Sequence, residues 1–240
     1  MLKRFVFSLA LFVLSAVSPF AQDRVSFTAA DGLEVTADLY LGDGPALILF
    51  HMAGASRGEY RDIAPRLQAA GYAVLAVDQR SGGAFGGVTN ETAARAGGGA
   101  GYEAAIPDLL AATAFMRSRG ATRIGVVGSS YSAALVLTLA GRDAGFADAV
   151  IAFSPGEYFS PRDFVRRDAG NIVVPVFITA ARSEEGQWRP IYDVVTSEKT
   201  GFVPDGAGRH GATALLTDAG PEYWAALEAF LARHLAFDGS

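Results

Sequence analysis

Apolar runs and amphipathic stretches alternate along most of the 240-residue chain. "ALILF" (46–50) and "YAVLAVD" (72–78) are continuously apolar, the pattern of strands buried on both faces. "RIGVVG" (123–128), "DAVIAFSP" (148–155) and "IVVPVFITAA" (172–181) repeat that pattern, and "TGFVP" (200–204) is a shorter candidate. Ahead of them, "VSFTAADGLEVTADLYL" (25–41) reads as two strands around the turn signal Asp31-Gly32. Helical spacing fills the gaps. "EYRDIAPRLQAAGY" (59–72) places Ile63, Leu67 and Ala70 on one face, with Pro65 near the first turn and Gly71 as a stop. "GYEAAIPDLLAATAFMRSRG" (101–120) and "YSAALVLTLAG" (131–141) both end at a glycine. "PEYWAALEAFLARHL" (221–235) carries Trp224, Leu227, Leu231 and Leu235 on one stripe.

Strands alternating with helices predict an α/β domain over 22–240 with a mainly parallel central sheet and helices on both faces. No repeat or linker interrupts it. In such sheets the chemistry gathers in loops beyond the carboxyl ends of the strands. Every candidate residue is therefore expected directly after a strand.

Residues 1–21 are different in kind. Lys3 and Arg4 precede the apolar run "FVFSLALFVLSAV", and "SPFA" supplies a small residue at Ala21. The expectation is a cleaved signal peptide and a periplasmic or secreted product, since a bilayer span needs about 20 apolar residues. An uncleaved membrane tether is the alternative. Losing Lys3 and Arg4 takes the formal charge from −5 to −7. No basic patch suggests nucleic acid. The chain has no cysteine, which removes disulfides, thiol nucleophiles and thiolate metal sites.

The junction "VVGSSYSAAL" (126–135) looks like a strand turning sharply into a helix. A nucleophilic serine at such a corner needs small residues two before and two after it. Ser129 has Val127 and Tyr131 in those places, both too large. Ser132 lies inside the first helical turn. Ser130 is flanked by Gly128 and Ser132, giving G-x-S-x-S, and is the candidate nucleophile.

A serine hydroxyl needs a base, and the base needs an orienting acid. Of three histidines, His210 lies in the glycine-rich loop "PDGAGRHGATAL" after a candidate strand, and is the expected general base. His51 ends "ALILF" and reads as a structural histidine pinning its loop. His234, in the last helix, reads as surface or interface. The acid should follow a strand between Ser130 and His210. Glu184 is chosen, Glu185 is the reserve, and Asp205 is a weaker third option. The order serine, acid, histidine differs from those of chymotrypsin and subtilisin. The expected oxyanion donors are the backbone N–H groups of Met52, after His51, and of Tyr131, after the nucleophile.

With these residues placed, the chain resembles the α/β-hydrolase superfamily, and within it the small dienelactone-hydrolase-like serine hydrolases. The resemblance rests on "LILFHMAGASRGEY", "GYAVLAVDQRSGG", "GVVGSSYSAA", "VFITAARSEE" and "GRHG", which together span about residues 46–212. "HMAG" stands where the family has "HG", and Ser132 stands where it has glycine. The resemblance implies an α/β-hydrolase fold without a large lid, no cofactor or metal, and hydrolysis of a small ester, lactone or thioester through an acyl-enzyme on Ser130. A peptidase or amidase using the same residues is the alternative. A non-catalytic binding protein on the same fold would need no serine, acid and histidine together. The glycine-rich segment 78–103, with Asn90, Glu91 and Arg95, is expected either to line the substrate pocket or to form a mobile surface loop, and Tyr158 and Phe159 either line the pocket too or belong to the core.

Overall fold

A computed structural model describes residues 22–237, so the expected export segment 1–21 lies outside the described residues. Eight strands form one sheet: β1 (Gln22–Thr28), β2 (Glu34–Tyr40), β3 (Ala46–Phe50), β4 (Ala73–Val77), β5 (Ile124–Ser129), β6 (Ala149–Phe153), β7 (Val176–Thr179) and β8 (Lys199–Phe202). Their spatial order is β1-β2-β4-β3-β5-β6-β7-β8. The β1–β2 and β2–β4 pairs are antiparallel and the other five are parallel. The hairpin closes through Gly32, which takes φ +87°, as the Asp31-Gly32 signal predicts.

Helices cover both faces. α1 (Ala64–Ala69) and α7 (Gly220–His234) pack on one, burying Leu67, Trp224, Leu227 and Leu231 against Leu47, Leu49 and Phe177. α3 (Ile106–Ser118), α4 (Tyr131–Arg142), α5 (Phe164–Ala169) and α6 (Glu185–Val194) pack on the other, and the short α2 (Glu91–Arg95) lies against β2. All ten residues of α4 from Tyr131 to Ala140 are buried, because the helix is covered by α5 as well as by the sheet. That burial explains a sequence apolar all round rather than striped.

Three elements are shorter than their sequence patterns predict. The helix expected over 59–72 divides into a 3₁₀ turn at Arg57–Tyr60 and α1, because Pro65 tolerates only the first turn of a helix. Pro107 does the same within 101–120, leaving a 3₁₀ turn at Tyr102–Ala105 before α3. The strand expected over 172–181 begins only at Val176, after Pro175 and the exposed Val173.

The loops at the carboxyl ends of β3 and β4 are tied by buried charge. Arg57 and Asp78 are both almost fully buried. The Arg57 guanidinium pairs with Asp78 Oδ2 and lies 3.1 Å from Asp38, and the Arg57 N–H donates to Asp78 Oδ1 at 2.8 Å. Asp78 Oδ2 also accepts the Glu91 N–H at 2.8 Å. Burial pushes the Asp78 carboxyl up from its ordinary value, against the opposing pull of Arg57. Arg57→Ala would leave that carboxylate buried without its cation. The expected cost is about 3–5 kcal/mol, read in thermal denaturation as a fall in Tm of roughly 6–20 °C.

Candidate active site

The β5–α4 corner is a tight crossing. A methyl group at Gly128 would lie 2.5 Å from the Ser132 carbonyl and the Ala133 nitrogen, so only glycine lets helix and strand approach this closely. Ser130 sits at the turn with φ 59° and ψ −121°, a conformation L-residues rarely adopt. Its N–H is held by the Phe153 carbonyl at 2.8 Å. Ser132, in the usual glycine position, is helical and unstrained. Its hydroxyl is bonded elsewhere than to Ser130. It donates to the His51 carbonyl at 2.6 Å and accepts from Gln79 Nε2 at 2.6 Å.

The Gly208–Gly211 loop after β8 carries His210 to this corner. His210 Nδ1 pairs with Glu184 Oε1. The other oxygen, Oε2, accepts the Ser154 hydroxyl at 2.7 Å and the Ala181 N–H at 2.9 Å. Burial works against the Glu184 charge, but these bonds from His210, Ser154 and Ala181 together hold its carboxyl below the ordinary value. His210 is raised in turn, chiefly by its bond to Glu184. No hydrogen bond joins His210 to Ser130 among the described residues; such contacts are often made only when substrate is bound. Glu185 is exposed and pairs with Arg189 at 2.6 Å. Asp205 is also exposed, at the surface.

The expected oxyanion donor Met52 is corrected by the geometry. Its N–H already donates to Glu59 Oε2 at 2.7 Å. The next N–H, of Ala53, has no acceptor among the described residues. The Tyr131 N–H is the first of α4 and has none within the helix.

His51 is fully buried. Its Nε2 accepts the Gln79 N–H at 3.0 Å, which leaves Nδ1 to donate to the Met52 carbonyl at 2.8 Å. Burial depresses it to about 4, so it stays neutral and pins the loop. His234 is partly buried: its ring lies on Phe230 with centroids 4.8 Å apart, and Nε2 is 3.7 Å from the exposed Glu198.

The segment 78–103 departs from the expected pocket role. Asn90 caps α2 and donates to the Gln79 carbonyl at 2.8 Å. Glu91 pairs with Arg24 of β1 and with Arg57 of the turn after β3, and Arg95 pairs with Glu34 of β2. What the segment brings to the corner is Tyr102, half-exposed and stacked on Tyr131 at 4.6 Å. Tyr158 lies with its hydroxyl beside Ser130 and donates to the Ser154 carbonyl at 2.8 Å. Phe159 is core, packed on Phe164. Ser154 and Glu59 were not among the expected residues. Ser154 ends β6 with φ 53°, a strain that no sequence pattern announces. No group of three or more His, Asp or Glu side chains among the described residues could hold a metal ion.

A family model for the dienelactone hydrolase family matches residues 35–186. The chain belongs to the dienelactone hydrolase family. Its sheet order and two helical layers are those of the α/β-hydrolase fold, with no large lid evident among the described residues. Solved members of the fold superpose along most of its length. An esterase of Pyrococcus furiosus is 20% identical with a TM-score of 0.69, covering 97% of this chain and 96% of its own. A dienelactone hydrolase from Anabaena variabilis is 17% identical with a TM-score of 0.70, covering 91% and 100%. An acylaminoacyl peptidase of Pyrococcus horikoshii is 14% identical with a TM-score of 0.69, covering 95% of this chain but 44% of its own. No curated protein matches the chain.

Removing the Ser132 hydroxyl separates packing from conformation at the elbow. Ser132→Ala is expected to lower stability by about 1–3 kcal/mol in urea denaturation, because the His51 carbonyl and Gln79 Nε2 lose a buried partner.

Proposed function

We propose that this dienelactone hydrolase family member is an exported serine hydrolase that cleaves a small ester, lactone or thioester. The observation that carries the reading is a serine in the strained turn between β5 and α4, on the same loop face as a histidine paired with a carboxylate. In that reading Ser130 is the nucleophile, His210 the general base and Glu184 the acid that orients it. Pairing at Nδ1 leaves His210 Nε2 to take the serine proton and return it to the leaving group. Glu184 stabilises the imidazolium formed on the way. The N–H groups of Ala53 and Tyr131 receive the developing oxyanion, since Met52 is engaged. Water activated by His210 then hydrolyses the acyl-enzyme. Tyr158, whose hydroxyl lies beside Ser130, also borders a cleft of about 410 Å³ with Arg162, Arg166 and Gln187 that none of Ser130, Glu184 and His210 lines. The apolar run of residues 5–17 supports export.

Reaction with a fluorophosphonate probe tests the nucleophile. Wild type is expected to label and Ser130→Ala not to; labelling that survives the substitution rejects Ser130. Hydrolysis of p-nitrophenyl acetate by Ser130→Ala should fall at least about 10³-fold. The acid limb of the pH profile tests the base. His210 works deprotonated and Glu184 raises its pKa, so activity should climb as pH rises through that raised value. In Glu184→Gln the carboxylate is gone. The limb should move to lower pH while kcat drops, and an unmoved limb would reject the pairing.

A further inference from the structure

The mechanism above leaves one ionisable group of the corner unused. Glu59 is 1% exposed and lies in the turn after the β3 loop. Its two oxygens face two different elements. Oε2 accepts the Met52 N–H at 2.7 Å, and Oε1 accepts the Ser129 hydroxyl at 2.7 Å. Ser129 Oγ in turn accepts the Ala212 N–H at 2.9 Å, two residues beyond His210. The contact is close-packed. A methyl group on Gly211 would lie 2.7 Å from Ser129 Oγ and 3.6 Å from both Glu59 Oε1 and Met52 Sδ. The neighbouring Tyr60 anchors the turn to β3 through its hydroxyl on the Phe50 carbonyl at 2.8 Å. One carboxylate thus joins the oxyanion loop, the strand end before the nucleophile and the histidine loop.

We propose that Glu59 is a positioning residue of the Ser130 centre, holding the oxyanion loop at Met52 and, through Ser129, the histidine loop at Ala212 in one register. The proposal rests on the serine-hydrolase reading above. By engaging Met52 it fixes the peptide that precedes the Ala53 N–H, so the free donor is set one residue further along. A charged acceptor holds these donors more firmly than a neutral one, so the clamp depends on the charge of Glu59. Burial pushes that carboxyl up to about 7, despite the Met52 and Ser129 bonds and the nearby His210. The titratable groups that face it are His210 from the histidine loop, Tyr131 from α4 and Tyr60 beside it. The clamp is charged above about pH 7 and neutral below.

Glu59→Gln keeps the shape and removes the charge. With p-nitrophenyl acetate its kcat should fall about 10–100-fold at pH 8.5 with little change in KM, since loop misplacement acts on the reacting geometry. The ratio of wild-type to variant kcat should shrink toward one as pH falls below about 6, where wild-type Glu59 is itself protonated. A purely structural role would lower active enzyme by the same factor at every pH. Ser129→Ala cuts the link to Ala212 from the other side and covers the case in which the Glu59 variant does not fold; it too should lose kcat and keep KM. A folded Glu59→Gln with wild-type kcat, or with a pH-independent ratio, overturns the proposal, as does wild-type kcat in Ser129→Ala. Ser130→Ala runs alongside with the fluorophosphonate probe. If it still labels, the nucleophile assignment fails and the Glu59 proposal with it. If it does not label while both clamp variants react at the wild-type rate, the Glu59 proposal alone fails.

Discussion

Everything around the candidate site depends on a non-glycine residue held in a backbone conformation that costs about 1–3 kcal/mol. Ser130 stays at φ 59° because its neighbours leave no alternative. Gly128 lets α4 press against the strand it follows, and the Phe153 carbonyl fixes the Ser130 N–H from the next strand. Burial of α4 along ten residues makes the crossing rigid. Relaxing the serine would mean moving a helix embedded in the core. The strain is therefore offset by packing far from the hydroxyl, and the hydroxyl is presented at the carboxyl end of a central strand, before the first turn of a helix whose leading N–H has no partner within the helix.

Around that corner, polar side chains replace the secondary structure that loops lack. Three sets can be distinguished by what they join. Arg57, Asp78 and Asp38 tie the β3 loop to the ends of β4 and β2. His51, Gln79, Asn90 and Ser132 tie the same loop to the segment after β4 and to α4. Ser154, Glu184 and His210 tie the ends of β6 and β7 to the loop after β8. The first two sets are almost wholly buried with most donors and acceptors matched, which is the condition under which buried polarity rigidifies rather than weakens, whereas in the third Ser154 is buried, Glu184 half-buried and His210 exposed. Gln79 Oε1 and Arg57 Nε are exceptions, buried without a hydrogen-bond partner.

Much of this was legible in the sequence, for physical reasons. The β3, β4, β5 and β6 runs are buried on both faces and read as unbroken apolar segments, so the parallel core declared itself. Gly128 and the small Ser132 pointed to Ser130 because the crossing tolerates little bulk. The glycines around His210 marked a loop free to bend. What was not legible shares one property: it depends on which way a side chain or N–H points. "HMAG" gives two adjacent N–H groups, and a carboxylate seven residues later decides which is engaged. Asn90, Glu91 and Arg95 follow a strand on the active face, yet the Asn90 side chain is spent on His51, Ala55 and Gln79, and Glu91 and Arg95 pair with charges on β1, β2 and the turn at Arg57. Ser132 occupies the family's glycine position without any glycine-like backbone, because what that position requires here is small size.

The two glutamates nearest His210 show how position sets chemistry. Glu184 is partly open, accepts a serine hydroxyl and a backbone N–H, and faces the imidazole directly. Its charge is favoured, as the orienting role proposed for it beside His210 requires. Glu59 accepts comparable hydrogen bonds but lies almost wholly out of water, so burial outweighs them and its pKa moves to about 7. Pushing two like groups apart in this way suits them to the different roles proposed for them. The carboxylate that must stay ionised is placed where solvent and donors keep it so. The one whose ionisation is marginal is placed against Met52 and Ser129, where, in the role proposed for it, its charge bears on loop geometry and not on the transferred proton.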